Sequence, residues 1–201
     1  MPHHRPDKAI YLLVVPGFAD WEPAHAVAEL RRQGGYRVEV VGLTRDPVTS
    51  MGGVTVLPTR ILSEVDPGNV AVFILPGGDR WEAVPLEPEL VALLEHLQTL
   101  HVPIAAICGA TVALARAGLI HGRRHTSNGK AYLEQHAPGY GDADQYEDAP
   151  AVRDRGLITA SGLADVEFAA KLFDELGVMS ESDRALWTEL FRSGRLPPES
   201  A

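Results

Sequence analysis

PIAAICGAT, residues 103–111, joins an apolar run to a turn of small residues and then to a helical pattern over residues 109–117. The run Pro103-Ile-Ala-Ala-Ile107 is apolar on both faces, which suits a strand buried in a parallel sheet. Cys108 falls in the turn. A strand that passes through small residues straight into a helix is the geometry of a nucleophile elbow. It projects its side chain from the carboxyl end of the sheet, where open α/β folds bind ligands.

The same alternation recurs outward from that elbow. Apolar runs at residues 9–15, 36–43 and 70–75 read as three further strands. Helical periods separate them. One covers residues 22–33 and stops at Gly34-Gly35. Another covers residues 87–100, with Leu90, Leu93, Leu94 and Leu97 on one face. Met51-Gly52-Gly53 reads as a turn between two short extended pieces, and residues 153–156 as a turn before an extended piece at 157–160. Both are expected to be excursions on the sheet. Helices are expected at 164–176 and, at the C-terminal end, about 182–192, with a frayed tail over 196–201. The alternation predicts an α/β fold. It is a flavodoxin-like three-layer αβα sandwich with a mostly parallel sheet and right-handed crossovers. A single domain is expected over 1–201, with its core at about 8–177.

Composition narrows the function. The chain has 201 residues, 45% of them hydrophobic and 22% charged, as in an ordinary globular protein. Its net charge of -9 gives no electrostatic footprint for nucleic acid and no polybasic cluster for an anionic membrane. The basic run Arg123-Arg124-His125 is too short to reverse that. The apolar run at 9–15 ends at Pro16-Gly17, far short of the roughly 20 residues that span a bilayer. Arg5 and Lys8 imitate the start of a signal peptide, but no small-residue cleavage site follows. Cys108 is the single cysteine, so no intramolecular disulfide forms. That points to a reducing compartment, most simply the cytoplasm.

Three loops lie at carboxyl ends of the expected strands. At Cys108 the free amides and dipole of the following helix favour a thiolate, so a depressed thiol pKa is expected. The bland alternative is a buried, inert cysteine; the strand–turn–helix setting favours the nucleophile. In Leu75-Pro76-Gly77-Gly78-Asp79, the Gly78 amide could converge with that of Gly109 as an oxyanion hole, or the loop is a plain turn. In the loop from Pro16 to Glu22, Glu22 is expected to head the first helix, where a carboxylate is favoured with or without a function.

Together these loops resemble the ThiJ/PfpI superfamily of intracellular proteases/amidases and deglycases. The likeness is carried by Gly17-Phe-Ala-Asp-Trp-Glu22, Leu75-Pro-Gly-Gly78, Ala106-Ile-Cys108-Gly-Ala110 and Asp165-Val-Glu-Phe-Ala169. The resemblance implies a class I glutamine amidotransferase-like fold. It implies that Cys108 is the elbow nucleophile, that the Glu22 carboxyl hydrogen-bonds the sulfur, and that Gly78 and Gly109 form the oxyanion hole. Two adjacent negative charges would raise the carboxyl pKa and make the groups titrate as a pair.

The sequence departs from that superfamily at one place. Many members carry a histidine about twenty residues after the cysteine; an ungapped count puts Asn128 there. A carboxamide is no general base. His125, three residues earlier in an extended segment, should face the other side unless the chain bends. His101 is a further candidate. His25 shares a helical face with Glu22, but one Glu-x-x-His copy is too little for a di-metal site, so neither metal nor cofactor is expected. Trp81, Trp21 and Ala110 would line the pocket, the tryptophans equally well packing in the core. Asp79 would orient a polar group or close a turn.

These features imply a small-molecule hydrolase/amidase or a glyoxalase/deglycase-type enzyme using Cys108 with Glu22. The alternative is a non-catalytic redox sensor acting through oxidation of Cys108 in the stress response. A glutaminase domain is set aside because the Cys-His-Glu order is missing. The resemblance also implies a homodimer. Leu186, Trp187, Leu190 and Phe191 suit burial against a partner or against the chain's own sheet.

Overall fold

A computed structural model describes residues 7–195, so the tail at 196–201 lies outside the described residues. Among the described residues the central sheet has seven strands. In chain order they are β1 (Ala9–Leu13), β2 (Arg37–Gly42), β5 (Arg60–Ile61), β6 (Val70–Leu75), β7 (Ile104–Ile107), β8 (Ala151–Asp154) and β9 (Leu157–Ala160). Their spatial order is β5-β2-β1-β6-β7-β9-β8, parallel throughout except for β8, which runs antiparallel to β9. A separate hairpin pairs β3 (Val48–Thr49) with β4 (Thr55–Val56) around the Met51-Gly52-Gly53 turn.

The period of two along each strand divides the core between the two faces. Tyr11, Leu13, Phe73, Leu75, Ile104 and Ala106 point to one face. They meet α3 (Pro88–Thr99) through Leu90, Leu94 and Leu97, and α4 (Ala110–Arg116) through Val112 and Leu114. Ile10, Val72, Ile74, Ala105 and Ile107 point to the other. They meet α1 (Ala24–Arg32) through Ala26 and Leu30, and α6 (Asp165–Leu176) through Phe168, Leu172 and Phe173. All six residues of β6 are buried, as its unbroken apolar run requires of a strand covered on both faces. The other α-helices among the described residues are α2 (Arg80–Ala83), α5 (Lys130–His136) and α7 (Glu181–Ser193). The result is the expected flavodoxin-like three-layer sandwich.

Several expected boundaries move for local reasons. The first helix starts at Ala24, with Pro23 as its cap residue, which leaves Glu22 in the turn before it. Arg153 and Asp154 belong to β8, and the turn contracts to Arg155-Gly156, at φ 49° and 78°. Two successive left-handed residues suit a tight hairpin between twisted strands. That hairpin forms the edge of the central sheet, so β8 and β9 are structural members of it and not an excursion. Among the described residues, no helix is long and apolar enough to cross a membrane.

Candidate active site

β7 ends at Ile107, and the next residue turns sharply. Cys108 has φ 58°, a left-handed conformation that among the described residues only His101 and Arg155 share outside glycine. Such a conformation costs about 1–2 kcal/mol in an ordinary residue, so the surroundings must impose it. The Cys108 N–H donates to the Ala160 carbonyl of β9 at 2.9 Å. The Cys108 carbonyl accepts from the Thr111 N–H at 3.1 Å and from Thr111 Oγ1 at 2.6 Å. Thr111 Oγ1 also lies 2.6 Å from Ser127 Oγ. The elbow is therefore pinned between strand and helix, and its side chain is only partly buried.

The loop after β1 carries Glu22 to the same point. Its Ala19 N–H donates to the Gly77 carbonyl at 3.0 Å, and the Gly77 N–H donates to Glu22 Oε2 at 2.6 Å. On its outer side the loop is tied to the small hairpin by Ser50 Oγ donating to Asp20 Oδ2 at 2.6 Å. Glu22 is 1% exposed and hydrogen-bonded to the Cys108 side chain. Two glycines make that contact sterically possible. A Cβ at Gly77 would lie 2.7 Å from both Cys108 Cβ and Glu22 Oε2. One at Gly162 would lie 2.7 Å from Cys108 Sγ and 3.2 Å from Glu22 Oε1.

Asn128 approaches from the third side. Its Nδ2 donates to Cys108 Sγ at 3.3 Å, while its Oδ1 accepts from the Gly162 N–H at 2.9 Å. The amide oxygen is thereby turned away from the sulfur. The Gly109 N–H also points at the sulfur. Its loop interleaves with the glycine loop, since a Cβ at Gly109 would sit 3.0 Å from the Gly78 carbonyl oxygen.

Electrostatics at this cluster correct one expectation. Burial pushes the Cys108 thiol up to about 11, and the charge and hydrogen bond of Glu22 add to the rise. The Asn128 carboxamide and the Gly109 amide oppose it. The start of a seven-residue helix does not outweigh desolvation beside a carboxylate. Glu22 is raised to about 7, also by burial first. The Gly77 N–H and the thiol pull it down, and the Asp165 charge raises it further. The resting pair is a thiol beside a carboxyl of raised proton affinity, not a free-standing thiolate.

The remaining candidates divide. Gly78, at φ 150°, packs with its Cα facing the Gly17 carbonyl, and Ala110 is the buried first residue of α4. Trp81 is buried and its indole N–H donates to the Pro76 carbonyl at 2.8 Å, so it supports the glycine loop from below. Trp21 is 49% exposed, and Asp79 is exposed. His125 is wholly buried; its ring nitrogens lie 2.7 Å from the Arg123 carbonyl and 2.7 Å from Tyr140 Oη. Its ring packs edge-on to Tyr140 and Tyr146, so no bend turns it toward the thiol. His25 pairs with Asp165 at 3.4 Å and packs against Trp187 and Phe191. His101 is exposed and precedes β7, at the end of that strand remote from Cys108. Among the described residues, no three metal-ligating side chains cluster.

Comparison with known proteins gives the family. A family model described as DJ-1/PfpI family matches residues 8–175. The chain belongs to the DJ-1/PfpI family. A Bacillus subtilis member, "Uncharacterized protease YoaZ", is 36% identical over 191 residues, covering 91% of this chain and 90% of its own. "Deglycase TK1284" of Thermococcus kodakarensis is 31% identical over 118 residues, 59% of this chain and 70% of its own. Among solved DJ-1/PfpI structures, the DJ-1 superfamily protein Atu0886 of Agrobacterium tumefaciens superposes with a TM-score of 0.85 at 32% identity. That match covers 94% of this chain and 100% of Atu0886. The family's fold is therefore this chain's fold.

The Glu22 shift has a consequence for stability. The folded chain binds the Glu22 proton more tightly than an unfolded chain, whose glutamate has its ordinary value near 4.5. The stabilising contribution is full below about pH 4.5 and is lost as pH rises through about 7. Glu22→Gln should therefore gain on the wild type across that window, by at most about 1.4 kcal/mol per pH unit. Denaturant unfolding of both proteins at pH 5 and pH 8 checks this. A stability difference that does not change with pH contradicts the shift.

Proposed function

We propose that the chain is a cysteine-dependent enzyme acting on small carbonyl compounds, of glyoxalase or deglycase type, with Cys108 as nucleophile and Glu22 as proton carrier. The carrying observation is a partly exposed sulfur with a buried carboxyl on one side and the Asn128 amide donor on the other. In the addition step the Cys108 sulfur attacks an aldehyde or ketone carbon, the S–C bond forms, and the carbonyl electron pair moves to oxygen. The thiol proton passes to Glu22, which is then neutral. Neutral Glu22 no longer repels charge on sulfur and becomes a donor, so the cost of forming the thiolate falls as the proton moves. The proton then returns to the new oxyanion, for which the Gly78 and Gly109 amides are the proposed donors.

Two observations favour carbonyl chemistry over amide hydrolysis. Both nitrogens of His125 are engaged elsewhere, and no imidazole hydrogen-bonds the sulfur among the described residues. Expulsion of an amine calls for a general acid at the leaving group, whereas carbonyl addition needs only the proton that the thiol surrenders. Relatives named deglycase support the substrate class, and those named protease keep hydrolysis as the second enzymatic reading. The partial exposure of the thiol also supports a second reading without turnover, in which a peroxide oxidises Cys108 to a sulfenic or sulfinic acid and is itself reduced to water or an alcohol.

The test is consumption of 2-oxoaldehydes and of small amides by wild type and Cys108→Ala. We expect 2-oxoaldehyde turnover to fall at least about 100-fold in the variant. Activity should rise with pH through about 7, where the pair loses its first proton and Glu22 can accept another. Stoichiometric oxidation of Cys108 with no wild-type turnover on either panel would overturn the enzymatic reading. A homodimer is proposed on the exposed Leu186 and Phe191 of α7, whose neighbour Trp187 is turned into the core. Light scattering at micromolar concentration should give twice the chain mass, and a monomer contradicts it.

A further inference from the structure

Arg116 is the last residue of α4, the helix that starts at the elbow, and its half-buried side chain serves none of the steps above. Its Nη1 donates to the Trp81 carbonyl at 2.9 Å and to the Val84 carbonyl at 3.2 Å, and its Nη2 donates to the Glu82 carbonyl at 3.1 Å. Its Nε donates to the His136 carbonyl at 2.9 Å. Trp81 and Glu82 lie in α2, Val84 is the cap residue that ends it, and His136 is the last residue of α5. A helix leaves its last four carbonyls without partners of its own, and they form the negative end of its dipole. One forked guanidinium thus closes the C-terminal ends of two short helices from the end of a third.

α2 in turn grips the glycine loop that binds Glu22. The Trp81 N–H donates to the Gly78 carbonyl at 3.2 Å, and its indole N–H donates to the Pro76 carbonyl at 2.8 Å. Gly77 lies between those two residues. Its N–H donates to Glu22 Oε2 at 2.6 Å, and its carbonyl accepts from the Ala19 N–H at 3.0 Å. A Cβ on Gly109 would lie 3.4 Å from Trp81 Cδ1, so the same indole rests against the elbow. The titratable groups that face Glu22 are the Cys108 thiol and, by its charge, Asp165 of α6, itself paired with His25 of α1. The four Arg116 hydrogen bonds all go to main-chain carbonyls, so its influence on Glu22 passes through α2 and the glycine loop.

We infer that Arg116 is a positioning residue: its forked guanidinium ties α2 and α5 to the elbow helix and so holds the glycine loop where the Gly77 amide meets Glu22. The inference rests on the reading of Glu22 as the proton carrier, and it deepens that reading by naming what fixes the carboxyl's donor.

The Gly77 amide proton, followed by NMR across pH, reports this contact directly, because a hydrogen bond to a carboxyl strengthens when that carboxyl ionises. In the wild type its resonance should move with a midpoint of about 7. Arg116→Ala should cut the size of that movement at least about twofold, since hydrogen bonds weaken steeply as they lengthen and bend. Arg116→Lys should show the same loss and supplies the reading if the alanine variant does not fold. It keeps the charge but gathers its donors on one atom, which cannot span α2 and α5. Arg184→Ala is the control for ordinary destabilisation. Arg184 joins Asp174 and the Met179 carbonyl across the sheet from α4, and its loss should leave the Gly77 movement at wild-type size. A full-sized movement in either Arg116 variant overturns the inference, and so does an equal loss in Arg184→Ala. A wild-type Gly77 resonance that does not titrate near 7 defeats the reading of Glu22 itself, and the inference falls with it.

Discussion

A buried carboxyl pressed against a sulfur is the constraint from which the rest of the site follows. Glu22 and Cys108 come from loops 86 positions apart in the sequence, and both must arrive at one point without a side chain between them. Gly77 and Gly162 supply that clearance, since a Cβ on either would collide with the pair. The Gly77 amide holds the carboxylate, and the Asn128 amide and Gly109 amide hold the sulfur. The left-handed backbone at Cys108 aims the sulfur into this gap. The Thr111 and Ser127 hydroxyls, with the Ala160 carbonyl, keep that strained turn in place.

The architecture was legible because parallel sheets write a plain pattern. Unbroken apolar runs such as Val70–Leu75 announce strands covered on both faces, and Leu90, Leu94 and Leu97 announce the helix that covers one of them. The elbow was legible for the same reason, as a strand that meets small residues and then a helix. Short pieces were not. The two-residue β5 and the seven-residue α5 are too brief to establish a period. The antiparallel partner strand β8 hid in what looked like a turn because Arg153 and Asp154 are polar edge residues.

The chemistry was harder to read than the fold, and the reason is solvation. A sequence shows that a helix follows Cys108, which argues for a low thiol pKa. The resemblance put the Glu22 carboxyl at the sulfur, but the sequence does not show how deeply the pair is buried, which argues for a high one, and burial is the larger effect. Position along the chain was a better guide for Asn128 and His125. The alternation of an extended segment put them on opposite sides, and the structure turns Asn128 to the sulfur and His125 into a tyrosine-lined core. Thr111, Ser127 and Gly162 carried no signal of their own, because each matters only through contacts made after folding.

A proton shared between Glu22 and Cys108 is the centre of this account, and the carboxyl can be watched directly. Infrared difference spectra of wild type against Glu22→Gln, recorded across pH, isolate the protonated carboxyl band of Glu22. The account predicts a midpoint near 7, displaced when Cys108 is alkylated. A Glu22 carboxyl that titrates near its ordinary value of 4.5, indifferent to the state of the sulfur, would contradict it.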